Sequence, residues 1–241
     1  MASRGLLIVA FHENYERVAA ACARYTRQHT DLPLFVITNV AREARSSVWD
    51  DIPNVAFHME AVDRDRNRDF KTRMADFTPF DETLYIDSDA AVMGPGIEHA
   101  FDLLADNDLA LNHYVHWDEK IPIIYGKAMR MFGVAMPMSA YSGALIAFTQ
   151  SPAARALFAT WHDYWVRFGR GREMPCLACA VKNSPELRVG TFDEGFFAVD
   201  YMDASAVVQH NCEGFVDKIG SPLLQRWHPF DNVDDFSWTK L

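Results

Sequence analysis

The chain has 241 residues, of which 49% are apolar and 23% charged, and its formal net charge is -10. This composition is typical of a folded globular protein and excludes a disordered chain. No apolar run approaches the roughly 20 residues that cross a bilayer, and residues 1–4 are unlike a signal peptide, so we expect a cytoplasmic protein without a transmembrane segment. The acidic balance argues against broad, non-specific binding of nucleic acid.

In the first quarter of the chain, short apolar runs alternate with amphipathic stretches, and this alternation predicts an α/β fold. The continuous apolar run at 6–11 is typical of a strand buried on both faces. Asn14 is predicted to cap a helix over 15–28. Apolar runs at 34–37 and 55–57 predict the second and third strands.

The middle of the chain contains the next strands and one irregular insert. A mixed-charge stretch at 64–73 leads into a helix that Pro79 ends, and a strand follows at 83–86. Apolar runs at 109–111 and 143–148 predict two more strands. Residues 113–138 show no regular pattern, and we expect them to form a loop or lid over a site.

The last part of the chain begins with a strong helical pattern at 153–168, capped by Ser151. A shorter helix is predicted at 175–183. Late strands near 188–192 and 206–209 precede a turn at 211–220, and residues 221–241 form an irregular tail. We find no repeat, low-complexity tract or linker, so we predict a single domain over 1–241.

The cysteines bear on the redox compartment and on metal binding. Four are too few for a disulfide scaffold, although Cys176 and Cys179 form a C-x-x-C pair. No second cysteine or histidine pair lies at zinc-ligand spacing, and the flanking residues are apolar. We therefore predict that both thiols are buried in a helix.

The most informative motif is Asp87-Ser88-Asp89 directly after the strand at 83–86. Open α/β sheets bind ligands at the carboxyl ends of their strands. Two neighbouring carboxylates repel each other unless a cation lies between them, and carboxylate oxygens suit Mg²⁺ or Mn²⁺. The alternative is a solvated turn that merely ends a strand.

A second motif lies at the end of the late strand, where His210 is followed by Gly214 and Lys218. Histidine can complete a metal site, and a lysine can neutralise a diphosphate. Together with the Asp-x-Asp motif, the histidine indicates a divalent metal site. Alone, it would more often be a hydrogen-bonded histidine of the surface or core.

With these motifs the sequence resembles nucleotide-sugar glycosyltransferases of the GT-A fold, most of all the family-8 group that includes glycogenin-like and galactosyltransferase-like enzymes. The resemblance runs from the first strand to about Lys218. It is carried by Phe70-Lys71-Thr72-Arg73, by the Asp-x-Asp strand, by Tyr141-Ser142-Gly143, and by the stretch from His210 to Lys218. It implies a Rossmann-like, mostly parallel central sheet flanked by helices.

The resemblance also implies the site. Asp87, Asp89 and His210 would bind Mn²⁺ or Mg²⁺. Glu173, near the reacting sugar, and Lys218, at the leaving diphosphate, would serve catalysis. The nucleotide-sugar donor, expected to be a UDP-sugar, would contact Phe11, His12, Tyr15, Lys71, Asp87, Ser88, Asp89, Ser142, Gly143, Gly214 and Lys218. Glu173 has an equally good interpretation as an acid at a helix N-terminus.

The implied reaction is the transfer of a hexosyl group, which we expect to proceed with retention and without a protein nucleophile. The acceptor stays open between a glycan, a protein, a lipid-linked sugar and a modified nucleic acid. Two alternatives compete with this interpretation. One is a Mg²⁺-dependent phosphohydrolase of the haloacid-dehalogenase type, and the other is a degenerate transferase that binds sugar nucleotides without turnover.

Overall fold

The computed structural model describes residues 2–42, 48–62, 66–199 and 205–210. Its strands are β1 Arg4–Val9, β2 Leu34–Thr38, β3 Val55–Met59, β4 Glu82–Ile86, β5 Ala90–Val92, β6 Leu109–Trp117, β7 Met138–Thr149, β8 Val189–Thr191, β9 Phe197–Val199 and β10 Val208–His210. Its helices are α1 Glu13–Thr26, α2 Asn67–Lys71, α3 His99–Asp102, α4 Ile123–Phe132, α5 Pro152–Arg167 and α6 Met174–Lys182.

The strands form two sheets. The large sheet has seven strands in the order β3-β2-β1-β4-β7-β6-β8, and the small sheet has the order β5-β10-β9. In the large sheet β3, β2, β1 and β4 run parallel, as do β6 and β8, whereas β7 runs antiparallel to both β4 and β6. The predicted α/β fold with a mostly parallel central sheet is confirmed.

The apolar sequence of β1 explains why this strand lies inside the large sheet. Leu7 and Val9 belong to one hydrophobic cluster, on the side of α5 and α6, while Leu6 and Ile8 belong to the other, with residues of α1 and α3. Successive side chains of a strand point to opposite faces, so a strand covered on both faces needs an apolar residue at every position.

Of the two helix N-caps predicted from the sequence, the structure confirms one and contradicts the other. Ser151 lies at the N-cap of α5, where its hydroxyl accepts a hydrogen bond from the Ala154 N–H at 3.2 Å, as predicted. The cap predicted at Asn14 is wrong, because α1 already begins at Glu13. The chain turns into α1 at His12, whose backbone is left-handed with a φ of 77°.

The prediction of an irregular loop at 113–138 is also wrong. β6 continues to Trp117, β7 begins at Met138, and the two strands pair from Trp117↔Met138 inward, with two register shifts. Between them, α4 buries Met129 and Phe132 in the core. The apolar spacing in this segment therefore serves a packed helix, and the insert extends the sheet as an antiparallel ladder.

The small sheet positions His210 beside the Asp-x-Asp motif. β10 runs antiparallel to β5 and places His210 opposite Ala90, the residue after Asp89. The strands β5 and β9 have only three residues each, and the sequence patterns did not predict them. This pairing brings the end of the described chain to the carboxyl end of β4.

The prediction of buried thiols is confirmed for Cys176 and Cys179, which lie fully buried in α6. Burial raises the pKa of each thiol to about 12, so both stay protonated at neutral pH. None of the helices in the described part of the chain has the length and apolar character that a bilayer crossing requires. Gly214, Lys218, the turn at 211–220 and the tail at 221–241 lie outside the described residues.

Candidate active site

Asp87, Asp89 and His210 meet at the carboxyl end of β4. One ligand atom of each residue lies within 4.8 Å of the other two. His210 Nε2 is 3.1 Å from Asp89 Oδ1 and 3.7 Å from Asp87 Oδ2. The structure thus brings together the three residues that the sequence motifs, far apart in the chain, indicated as metal ligands.

A short turn holds the two aspartates on the same side of the sheet edge. The Asp87 N–H donates to the Ala144 carbonyl of β7 at 3.0 Å, and the Asp87 carbonyl accepts from the Ala90 N–H at 2.9 Å. The first bond fixes Asp87 to the large sheet, and the second starts β5. The two aspartates are therefore held by backbone hydrogen bonds rather than by a loop alone.

The histidine of this group offsets part of the negative charge of the two carboxylates. Burial would lower the pKa of His210, but the carboxylates of Asp89 and Asp87 outweigh it and raise that pKa to about 9. Burial likewise opposes ionisation of Asp89, yet His210 holds its pKa below the usual range. A divalent cation fits this set of two carboxylates and one imidazole, since Mn²⁺ and Mg²⁺ accept oxygen ligands and Mn²⁺ also accepts imidazole nitrogen.

Lys71 is the cation nearest to Asp87. Its ammonium is buried, 2.8 Å from Asp87 Oδ1 and 3.1 Å from Glu173 Oε1. Burial would lower the pKa of Lys71, but the two carboxylates raise it above its usual value, so the side chain is charged. The Tyr85 hydroxyl donates a short hydrogen bond to the same Asp87 oxygen.

Glu173 extends this ion network towards α2. Its Oε2 lies 3.2 Å from Arg68 Nε, and its main-chain carbonyl accepts a hydrogen bond from the Trp161 indole N–H at 3.0 Å. Burial would raise the pKa of Glu173, but Lys71 and Arg68 lower it, so the carboxylate is ionised. Glu173 stands directly before α6 and makes no side-chain cap hydrogen bond there.

A cavity of about 260 Å³ opens over these groups. Seven of the site residues predicted from the sequence line it, namely Tyr15, Lys71, Asp87, Ser88, Asp89, Glu173 and His210. The cavity combines ionised groups of both signs with the ring of Tyr15. It therefore offers polar and charged groups together with one aromatic side chain to a ligand.

Four other residues predicted to contact the donor are not part of the cavity lining. The ring of Phe11 is buried 5.0 Å from that of Phe70, so the side chain belongs to the core. The His12 N–H donates to Asn39 Oδ1. The Ser142 hydroxyl is buried and accepts from the Ala144 N–H at 3.2 Å. Gly143 lies beside the side chains of Lys71 and Glu173.

Sequence reasoning missed Arg68 and the hydroxyl of Tyr85. Arg68 belongs to the mixed-charge stretch at 64–73, lies three residues before Lys71 and so shares the helix face of that lysine. That spacing was a usable signal. The tyrosine is two residues before Asp87, on the same side of β4 and its extension, and alternation along the strand would have indicated it.

Comparisons with known proteins agree with this architecture. No protein-family model matches the chain, and no curated protein matches its sequence. The structure is similar to that of galactosyltransferase LgtC in complex with donor and acceptor sugar analogs, at 14% identity over 86% of this chain and 87% of that one, with a TM-score of 0.62.

Two further solved structures extend the likeness. The bifunctional glycosyltransferase WbbM matches at 13% identity over 93% of this chain and 51% of that one, with a TM-score of 0.63. Mouse xyloside xylosyltransferase 1 matches at 12% identity over 86% of this chain and 97% of that one, with a TM-score of 0.57. The chain therefore has the GT-A fold that these glycosyltransferases share.

Proposed function

We propose that the protein is a metal-dependent glycosyltransferase that moves a hexosyl group from a nucleoside-diphosphate sugar, a UDP-sugar, to an acceptor hydroxyl, with retention. The observation that carries the proposal is the group of Asp87, Asp89 and His210 at the carboxyl end of β4, with Lys71 in contact with Asp87. The fold alone hosts many chemistries, whereas this group supplies a site for a cation and a diphosphate.

Asp87, Asp89 and His210 would hold Mn²⁺ or Mg²⁺. A divalent cation bound there supplies positive charge against the diphosphate of the donor. Tyr15 lies at another part of the same cavity and offers its ring to the nucleotide base. The cavity thus offers groups for the diphosphate and for the base of the proposed donor.

Lys71 would act on the leaving group. In transfer, the bond between the anomeric carbon and the diphosphate breaks, and negative charge grows on the diphosphate oxygens. Lys71 is charged and buried beside Asp87, where its attraction to that growing charge is little screened by water. We assign no protein nucleophile, and the acceptor stays open between a glycan, a protein, a lipid-linked sugar and a modified nucleic acid.

The arrangement around Asp87 disfavours the phosphohydrolase alternative. In that class one aspartate attacks phosphorus, and the motif ends the first strand of the sheet. Here Asp87 follows the fourth strand, and one of its oxygens receives both Lys71 and the Tyr85 hydroxyl.

A thermal-shift screen of nucleotide sugars, with and without Mn²⁺, tests the proposal. We expect a UDP-sugar to raise the unfolding temperature only when Mn²⁺ is present, because a ligand that binds the folded state stabilises it. The full chain would be compared with Asp89→Asn and with the control Asp163→Asn, an exposed acid of α5.

Release of UDP from the stabilising donor separates an enzyme from a degenerate binding protein. Slow hydrolysis to UDP and free sugar, present in Asp163→Asn and lost in Asp89→Asn, would support the enzyme. Stabilisation without any turnover would favour the binding protein. Hydrolysis of simple phosphate esters without response to nucleotide sugars would reject the proposal.

A further inference from the structure

We propose that Arg68 is a positioning residue, which holds the Glu173 carboxylate so that it accepts hydrogen bonds from hydroxyl groups of a neutral donor hexose. The inference rests on the proposed function, because it concerns the sugar of the proposed donor. Neither the sequence motifs nor the comparisons give Arg68 a role. The inference also gives the class of donor sugar as a neutral hexose, since a site built in this way rejects a hexuronic acid.

The Glu173 carboxylate is held at both of its oxygens by cations of one short helix. Arg68 Nε lies 3.2 Å from Oε2, and Lys71 Nζ lies 3.1 Å from Oε1. The side chain of Glu173 is only 11% exposed, and the Trp161 indole fixes its main chain. A carboxylate restrained in this way has one orientation to present to a ligand.

The two cations differ in what else they contact. Lys71 also lies 2.8 Å from Asp87 Oδ1, whereas Glu173 is the one acidic partner of Arg68 within residues 2–42, 48–62, 66–199 and 205–210. With a donor bound, the diphosphate offers Lys71 further anionic oxygens. Arg68 therefore keeps Glu173 ionised and oriented while Lys71 turns towards the phosphates.

Gly143 leaves space beside the carboxylate. A Cβ placed on Gly143 would lie 3.5 Å from Glu173 Oε1 and 3.4 Å from Lys71 Nζ. The missing methyl group gives a ligand access to Oε1 from the side of β7. A hydroxyl group can donate to this ionised oxygen in a charge-assisted hydrogen bond.

The charge of the site favours a neutral sugar. Asp87 and Asp89 together balance a divalent cation, and Glu173 balances one of Arg68 and Lys71. One positive charge remains against the two negative charges of a donor diphosphate. A sugar carboxylate would add a third negative charge next to Glu173, which costs binding free energy in a poorly hydrated site.

Titration calorimetry in Mn²⁺ with UDP, UDP-glucose, UDP-galactose and UDP-glucuronic acid tests the inference. The full chain would be compared with Arg68→Ala, Arg68→Lys and the control Arg66→Ala, whose partner Asp69 lies outside the cavity lining. We expect the unaltered protein to bind at least one UDP-hexose about tenfold or more tighter than UDP-glucuronic acid.

The variants separate positioning from phosphate binding. Arg68→Ala should weaken the preferred UDP-hexose by about tenfold and leave the affinity for UDP within about twofold, and Arg68→Lys should restore part of the loss. Arg66→Ala should bind all four ligands as the unaltered protein does. Gly143→Ala should weaken the UDP-hexose, because its methyl group would occupy the space beside Oε1.

Each other result would overturn the inference in a recognisable way. Equal loss of UDP and UDP-hexose in Arg68→Ala would place Arg68 on the phosphates. Tighter binding of UDP-glucuronic acid than of either UDP-hexose would indicate that Arg68 binds a sugar carboxylate. An unchanged UDP-hexose affinity in Arg68→Ala would show that Arg68 does not position Glu173 for the sugar. Absence of UDP binding to the unaltered protein in Mn²⁺ would instead reject the proposed function, and the inference with it.

Discussion

Asp87 and Asp89 share His210, but they differ in their other contacts. Asp87 also receives Lys71 and the Tyr85 hydroxyl, so replacing it would leave a buried ammonium with one partner fewer. Within the described ranges, His210 is the one charged side chain within ion-pair distance of Asp89. Asp89 is therefore the better residue for testing the cation site without disturbing its surroundings.

We expect Asp89→Asn to abolish the Mn²⁺-dependent part of UDP binding while leaving the fold intact. The change removes the charge of one proposed ligand and keeps its shape. The loss should exceed the roughly 10- to 100-fold that removal of an outer-shell partner costs a metal site. Titration of Mn²⁺ and UDP measures it, and unchanged binding would reject the ligand assignment.

At the scale of elements, an ion pair reinforces the backbone ladder between the edge strand β8 and β6. Asp108 is buried directly before β6, and its carboxylate receives the Arg188 guanidinium through two contacts of 3.1 Å and the Arg188 N–H at 3.1 Å. The Arg188 side chain holds the pKa of Asp108 below its usual range, at about 2, although burial opposes ionisation. This carboxylate thus fixes a strand of only three residues.

We expect Asp108→Asn to lower the free energy of unfolding by about 1–2 kcal/mol at pH 7, the smaller value reflecting solvent screening at the exposed Arg188. Because the folded-state pKa is depressed, the contribution is complete above about pH 4 and is lost as the pH falls through about 2. Urea unfolding at pH 7 and at pH 3 measures the difference. Asp106→Asn, an exposed acid on the same turn, is the control, and an equal effect there would contradict the assignment.

The elements predicted correctly from the sequence are those in which one periodicity dominates. β1 and β2 contain continuous apolar runs, β4 is rich in strand-forming residues, and α5 combines a serine cap with an amphipathic pattern. The sequence did not reveal β6 beyond Leu111, since the outer part of its ladder is half exposed and mixes polar with aromatic residues. β5 and β9 depend on pairing with β10, which no local pattern encodes.

The residues of the candidate site likewise divide into those that could be predicted from the sequence and those that could not. Asp87, Asp89 and His210 follow apolar strands, so their place at a sheet edge was predictable from sequence alone. The contact between Arg68 and Glu173 joins residues far apart in the chain. Only the tertiary fold brings α2 close to Glu173, and no spacing rule anticipates such a pair.

At the scale of the whole molecule, the proposed cation site lies where the two sheets meet. Three acids, Asp87, Asp89 and Glu173, face three cations, Arg68, Lys71 and His210. The charges cancel without any bound ion. A metal-free protein therefore stores little electrostatic repulsion at this point, in contrast to a bare cluster of carboxylates.

We therefore expect metal removal to leave the fold intact. In EDTA the protein should keep its near-ultraviolet circular dichroism and a cooperative transition, with an unfolding temperature within about 2 °C of the untreated sample, a change below about 1 kcal/mol. UDP together with Mn²⁺ should raise that temperature. Loss of the cooperative transition in EDTA would show that the cation is structural.

The small sheet also sets the order in which the site is completed during synthesis. Lys71, Asp87 and Glu173 are translated before His210, which reaches Asp89 only after β10 pairs with β5. A growing chain on the ribosome can fold much of the large sheet without this last ligand. Until residue 210 has emerged, the nascent protein lacks one of the three side chains that could together hold a metal ion.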